Sequence, residues 1–256
     1  MKILHSKIMG IGPPILVLHG LFGNGDNWIS ITKIIKNYQI HLLDIRNHGY
    51  SFFSKKMNLD ILSKDLLKYI MYYKLCKPIL LGHSIGGRIV MNFSIKYPHI
   101  PRKIIIVDIS PKSYIKNDQR HLISILKKIN FNIIRTRKEL DSFLKKKISD
   151  INIRLFFSKC TGKNKNGKFY FRFYLPGIEK NYASLIHQNI ENGCYDGPSL
   201  FLRGEYSNYI FDRDWIHIKK IFPKAEILTI PKSKHWIHIE NPKDFYKKIN
   251  IFLQKN

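Results

Sequence analysis

Residues 77 to 88 carry the stretch Pro78-Ile79-Leu80-Leu81-Gly82-His83-Ser84-Ile85-Gly86-Gly87, in which a short apolar run meets a serine framed by glycines and then turns helical. A serine hydroxyl is a poor nucleophile unless it is held clear of its neighbours, near a base and near donors for the oxyanion it creates. A strained strand-to-helix turn meets all three needs, and it needs small residues two positions either side of the serine because those backbones crowd together. Gly82 and Gly86 stand there. Pro78 to Leu81 reads as a buried strand, and Ile85, Ile89 and Phe93 recur at four-residue spacing until Pro98 stops the helix. The pentapeptide therefore sits at the junction its chemistry requires.

Strands and helices alternate on both sides of this turn. Ile15-Leu16-Val17-Leu18, Gln39 to Leu43 and Lys103-Ile104-Ile105-Ile106-Val107 are short apolar runs of the kind buried in parallel sheets. Residues 2 to 8 read as an edge strand. Asp26 or Asn27 is placed to cap a helix running to Lys36, and Asn58 to open one ending near Leu75. From Pro111 to Gly197 the alternation stops and two amphipathic faces appear, Leu122 to Ile129 and Leu140 to Ile148, followed by the alternating phenylalanines of residues 169 to 174. It resumes with Ser199 to Gly204, a helix from about Asp212, a strand over Ala225 to Ile230 and a closing helix. The expected organisation is an α/β core at 1–110 and 198–256, split by a mainly helical cap at 111–197.

Four strand ends carry candidate chemistry. His19-Gly20-Leu21-Phe22-Gly23 follows the second strand, where open α/β sheets place ligands; its backbone amides, Leu21 first and Phe22 second, are candidate oxyanion donors. His19 reads as scaffold, since a base must both reach the serine and be oriented by an acid. In the loop after the third strand, Asp44 and Arg46 are expected to satisfy loop backbone and each other. Asp108 ends the fifth core strand. His235 lies in the loop after the last strand, with His238 three residues on, inside the turn that leads to the closing helix.

The formal charge is +26, from 44 Lys and Arg against 18 Asp and Glu. Lysine, isoleucine, asparagine, tyrosine and phenylalanine are all abundant together, so the lysines read as a solvated surface rather than a nucleic-acid site. The clusters at Lys145-Lys146-Lys147 and at Lys163, Lys165 and Lys168 match no nucleic-acid-binding motif. Three widely separated cysteines, Cys76, Cys160 and Cys194, fit reduced thiols without metal-ligand spacing. The N-terminal residues lack the pattern of a secretory signal, and no run of about 18 apolar residues occurs, so the expected location is the cytoplasm.

Together the HGLFGN loop, the GHSIGG turn, the VDISP strand end and the KHWIHIENP segment resemble the α/β-hydrolase superfamily, and most closely its YbfF-like serine esterases. The likeness covers nearly all of the chain outside residues 111–197. It implies Ser84 as nucleophile, His235 as general base and then acid, and the amides of Leu21 and Ile85 as the oxyanion hole. The sequence departs from the superfamily's common pattern at the acid: the usual position, about three residues past Gly204, holds Ser207. In the YbfF-like branch the acid comes from the end of the strand after the elbow helix, here Asp108, with Asp212 in reserve. No metal or cofactor is implied. A serine at position 84 excludes relatives whose alkyl-enzyme ester requires a carboxylate nucleophile.

The implied substrate is a small or acyl-chain ester, or an acyl thioester, including one on an acidic acyl carrier drawn by the basic surface. A non-catalytic, nucleic-acid-binding protein is the reading from a different class. An intact elbow and His235 argue against it.

Overall fold

The structure is a computed structural model of the chain, and it describes residues 2–115, 119–191 and 193–255. The strands are β1 (Ser6–Met9), β2 (Pro14–Leu18), β3 (Gln39–Leu43), β4 (Ile79–His83), β5 (Lys103–Val107), β6 (Thr161–Lys163), β7 (Phe169–Phe171), β8 (Ser199–Gly204) and β9 (Ala225–Ile230). Seven of them form one sheet in the order β1-β3-β2-β4-β5-β8-β9. Only the edge strand β1 runs antiparallel to its neighbour. The helices are α1 (Ile31–Ile34), α2 (Leu59–Tyr72), α3 (Ile85–Lys96), α4 (Arg120–Lys127), α5 (Arg137–Lys145), α6 (Ile151–Lys159), α7 (Leu175–Ile186), α8 (Asp214–Ile221), α9 (Ile237–Glu240) and α10 (Pro242–Gln254).

Helices cover both faces of the sheet, and the side-chain parity of the strands shows why. Leu16, Leu18, Leu80, Ile104 and Ile106 face one way, onto Leu62 and Leu66 of α2 and Ile89 and Phe93 of α3. Ile15, Val17, Leu81, Ile105 and Val107 face the other way, onto Phe245, Ile249 and Phe252 of α10. A strand apolar at every position can only be buried on both sides, which is why these runs show no alternation with polar residues. Lys103 opens one such strand and is itself buried. Its ammonium donates to the carbonyls of Phe252, Leu253 and Lys255 at the C-terminal end of α10, where the last-turn carbonyls lack partners.

Between β5 and β8 the chain leaves the sheet for α4 to α7 and the β6-β7 hairpin, which pairs Thr161 with Phe171. Thr161 to Lys163 thus form a strand ahead of the lysine-rich turn. Arg88 of α3 ties this part of the chain to the sheet. Its buried guanidinium donates to the carbonyls of Leu185, Lys112 and Gln188, the first at 2.9 Å and the second at 2.7 Å. A second tie is Asp26, which pairs with both Lys7 of β1 and Arg172 beyond β7.

Two local expectations differ from what forms. Asn24, not Asp26 or Asn27, caps the first helical turn: its side chain accepts from the Asp26 amide, and the Asn27 side chain accepts from the Asn24 amide. The turn is a short 3-10 segment at Gly25–Trp28, after which α1 lasts four residues rather than reaching Lys36. Arg46 does not pair with Asp44. It makes a two-point bond to Asp65 of α2, at 2.7 and 2.8 Å. Asp44 instead accepts from the amides of Gly25 and Tyr50 and pairs with His5.

Candidate active site

The turn from β4 into α3 places Ser84 at φ 53° and ψ −119°, a conformation that costs a residue with a side chain on the order of 1–3 kcal/mol. The crowding that demands glycine is explicit. A Cβ on Gly82 would lie 2.3 Å from the Gly86 carbonyl oxygen, and one on Gly86 would lie 2.3 Å from that of Leu18. The Ser84 amide donates to the Val107 carbonyl at 3.0 Å, which ties the turn to the end of β5. Ile85 begins α3, where helix amides have no intrahelical acceptor.

Asp108 follows β5 directly, fully buried and at φ 50°. That left-handed turn aims its carboxylate at the neighbouring strand ends. Oδ1 accepts from the Gly204 amide at 3.0 Å, and Oδ2 accepts from His235 Nδ1 at 2.7 Å and from the Ser207 hydroxyl. The imidazole thus donates through Nδ1, which leaves Nε2 as the basic nitrogen. About a fifth of the His235 side chain stays accessible. Its carbonyl accepts from His83 Nε2 at 3.0 Å, so the histidine next to the serine anchors the loop that delivers His235. The Tyr209 ring stacks on the imidazole at 3.9 Å and 17°.

The other candidates are placed elsewhere. Asp212 is exposed and bonds Arg203 at 2.6 Å. His238 is buried against Trp28, stacked at 4.0 Å, and burial, with His235 nearby, pushes its pKa down to about 3. His19 is buried and neutral: Nδ1 donates to the Gly20 carbonyl and Nε2 accepts from the Ile45 amide, while burial lowers its pKa to about 4.

The loop after β2 runs beside the serine, since a Cβ on Gly20 would come within 3.5 Å of the Ser84 Cβ. The Phe22 amide is already engaged, donating to His48 Nε2 at 3.1 Å. His48 can accept because burial first, and His19 second, drive its pKa down to about 3 and keep it neutral. Of the two amides the sequence offered, only Leu21's is left for a ligand by this bond. The part played by His48 was not read from the sequence, and Ser207 was singled out there only as the residue standing at the usual acid position. The signal for Ser207 was its place where the usual acid is missing.

Aromatic rings of α6 reach two neighbours of these residues: Phe157 meets Phe22 of the loop after β2 at 5.6 Å, and Phe156 meets Trp236, next to His235, at 5.6 Å. Two open surface grooves, about 560 Å³ along α5 and about 320 Å³ beside Arg46 and Asp65, are not lined by Ser84, Asp108 or His235. Among the described residues no group of three His, Cys, Asp or Glu could hold a metal ion, and no helix is long and apolar enough to cross a membrane.

Residues 13–127 match the family model described as the alpha/beta hydrolase fold. With relatives above 30% identity along nearly its whole length, the chain belongs to the α/β-hydrolase family, among its esterase and lipase hydrolases. A putative esterase/lipase of Haemophilus influenzae is 34% identical, over 98% of this chain and 87% of the relative. The sn-1-specific diacylglycerol lipase ABHD11 of Danio rerio is 32% identical, over 96% and 80%. Among solved structures, a marine microorganism esterase superposes with a TM-score of 0.94 at 35% identity, over 98% of this chain and all of that one. The resemblance to the YbfF-like branch is matched by Esterase YbfF of Escherichia coli, 24% identical over 94% and 92%.

Proposed function

We propose that the protein is a serine hydrolase that cleaves carboxylic esters of small or acyl-chain substrates through an acyl-enzyme intermediate. The observation that carries this reading is the 2.7 Å bond from His235 Nδ1 to the buried Asp108 carboxylate, formed beside a serine in elbow geometry. Asp108 holds the imidazole in the tautomer whose Nε2 can take the Ser84 proton, and it stabilises the imidazolium that results. The Ser84 oxygen attacks the ester carbonyl, and the amides of Leu21 and Ile85 hold the oxyanion. His235 then protonates the leaving alcohol. Water, activated by the same imidazole, releases the acid and restores the serine.

Ser84→Ala is expected to abolish both turnover of an activated aryl ester and labelling by a fluorophosphonate. Retention of most turnover rejects the reading. Residues 111–197 act in it as a mainly helical cap between the core segments 1–110 and 198–256, supported by the departure of the chain from the sheet between β5 and β8. A reducing compartment such as the cytoplasm is supported by three free cysteines.

The same machinery would open a thioester, and the charge of +26 is what favours an acyl group on an acidic carrier as the second reading. Rates with a simple ester, an acyl-CoA and an acyl-carrier protein, at low and high salt, separate the two. A salt-sensitive preference for the acidic carrier supports the second reading.

A further inference from the structure

Helix α6 is turned inside out. Its arginine, Arg154, is buried, donating to Asp141 of α5 at 2.8 Å and to the carbonyls of Ile148 and Ser149 at 3.0 and 2.8 Å. Its aliphatics Ile151 and Leu155, one turn apart, are 57% and 50% exposed. A surface helix ordinarily arranges these residue types the other way round. The inversion is held in place, because Phe156 and Phe157 use the remaining face to reach Trp236, next to His235, and Phe22, in the loop after β2. Just past His235, Ile239 of α9 is also exposed, at 59%.

Lysines flank these aliphatics. Lys145, Lys146 and Lys147 lead into α6, Lys159 ends it and Lys234 precedes His235, all exposed. The one carboxylate in the 145–159 segment, Asp150, is engaged with the Asn152 amide. Aliphatic side chains bordered by cations match a surface with an apolar interior and a negative outer layer.

We propose that the outer face of α6, together with Ile239, docks this protein on an anionic phospholipid surface. Docking there would bring lipid-borne esters close to the segments that carry Phe22 and His235, which α6 touches through Phe157 and, by way of Trp236, Phe156. That benefit rests on the ester-hydrolase reading, whereas the docking itself does not.

The test uses full-length protein and vesicles of phosphatidylglycerol and phosphatidylcholine. Ser84→Ala protein is expected to float with these vesicles and much less with phosphatidylcholine alone. Ile151→Ser with Leu155→Ser is expected to weaken association about tenfold, since each removes an aliphatic that enters the bilayer. Lys145→Glu with Lys146→Glu is expected to weaken it far more than Lys33→Glu with Lys36→Glu, an equal charge change on α1 and the residues after it. In a Trp215→Phe background, brominated acyl chains are expected to quench Trp236, because Trp28 is 1% exposed.

The proposal is overturned by absence of flotation, by indifference to the serine pair, or by equal sensitivity to the two lysine pairs, which would mean general adsorption of a basic protein. Self-association that Leu155→Ser abolishes, without vesicle binding, overturns it in favour of a second copy. Active protein that does not float defeats the docking alone. Unsubstituted protein that floats yet resists the fluorophosphonate defeats the serine reading alone.

Discussion

Ser207 donates its hydroxyl to Oδ2 of Asp108, the same oxygen that receives the Nδ1 proton of His235. The position at which most of the superfamily carries its acid thus contributes a donor to a carboxylate supplied by another strand. Held by an amide, a hydroxyl and an imidazole, that buried carboxylate is fixed in direction.

Removing that hydroxyl is therefore expected to slow the enzyme without disabling it. A hydrogen bond to a charged group is worth about 1.5–3 kcal/mol, so Ser207→Ala should lower kcat about ten- to a hundredfold. Asp108→Asn, which disturbs the tautomer itself, should cost about a thousandfold or more. Steady-state kinetics on one aryl ester checks both, and equal losses would contradict the ranking.

Strain at Ser84 makes an opposite prediction for stability. Glycine at position 84 tolerates φ 53° without penalty, so Ser84→Gly should eliminate turnover yet stabilise the fold by about 1 kcal/mol. Thermal melts should show a rise of about 2–4 °C. A melt unchanged or lowered would mean that the turn is not strained.

Arg88 is a buried cation whose visible partners are carbonyls of the chain after β5 and around the end of α7, and burial lowers its pKa to about 10. Arg88→Met keeps the volume but strands the carbonyls of Leu185, Lys112 and Gln188. A loss of about 3 kcal/mol or more is expected in urea unfolding. Amide exchange should rise first in α7.

Acid should unfold the protein through its buried histidines. His19, His48 and His238 have folded pKa values of about 4, 3 and 3 against 6.5 for an exposed imidazole. Between those values the unfolded chain binds more protons than the folded one. Stability therefore falls as pH drops from about 6.5 toward 4. Near pH 5, unfolding should take up about three protons through these groups, measurable from the pH dependence of the urea midpoint. A stability flat across that window would contradict their neutral burial.

Much of the architecture is legible in order along the chain. Ile15 to Leu18 and Ile104 to Val107 declare buried strands because every position is apolar, and the structure turns alternate members of each onto opposite faces. Asp108 and His235, singled out at strand ends, lie 2.7 Å apart across 127 positions of sequence. Arg46 shows the limit. Its nearest carboxylate in sequence is Asp44, yet it bonds Asp65, because α2 returns over the loop while Asp44 is occupied by backbone amides.

By itself the sequence determined the strand-helix alternation, the glycine-framed turn at Ser84 and the small set of candidate side chains at the strand ends. Each of these depends on residues within one or two turns of one another. Only the tertiary structure decided that Asp108 rather than Asp212 meets His235, that His48 takes the Phe22 amide, and that α6 buries its arginine and exposes its leucine. Those outcomes depend on which strand ends and helices meet in space. Periodicity reports only that a face is apolar, while the partners competing for it come from other elements, as far as 127 residues away for Asp108 and His235.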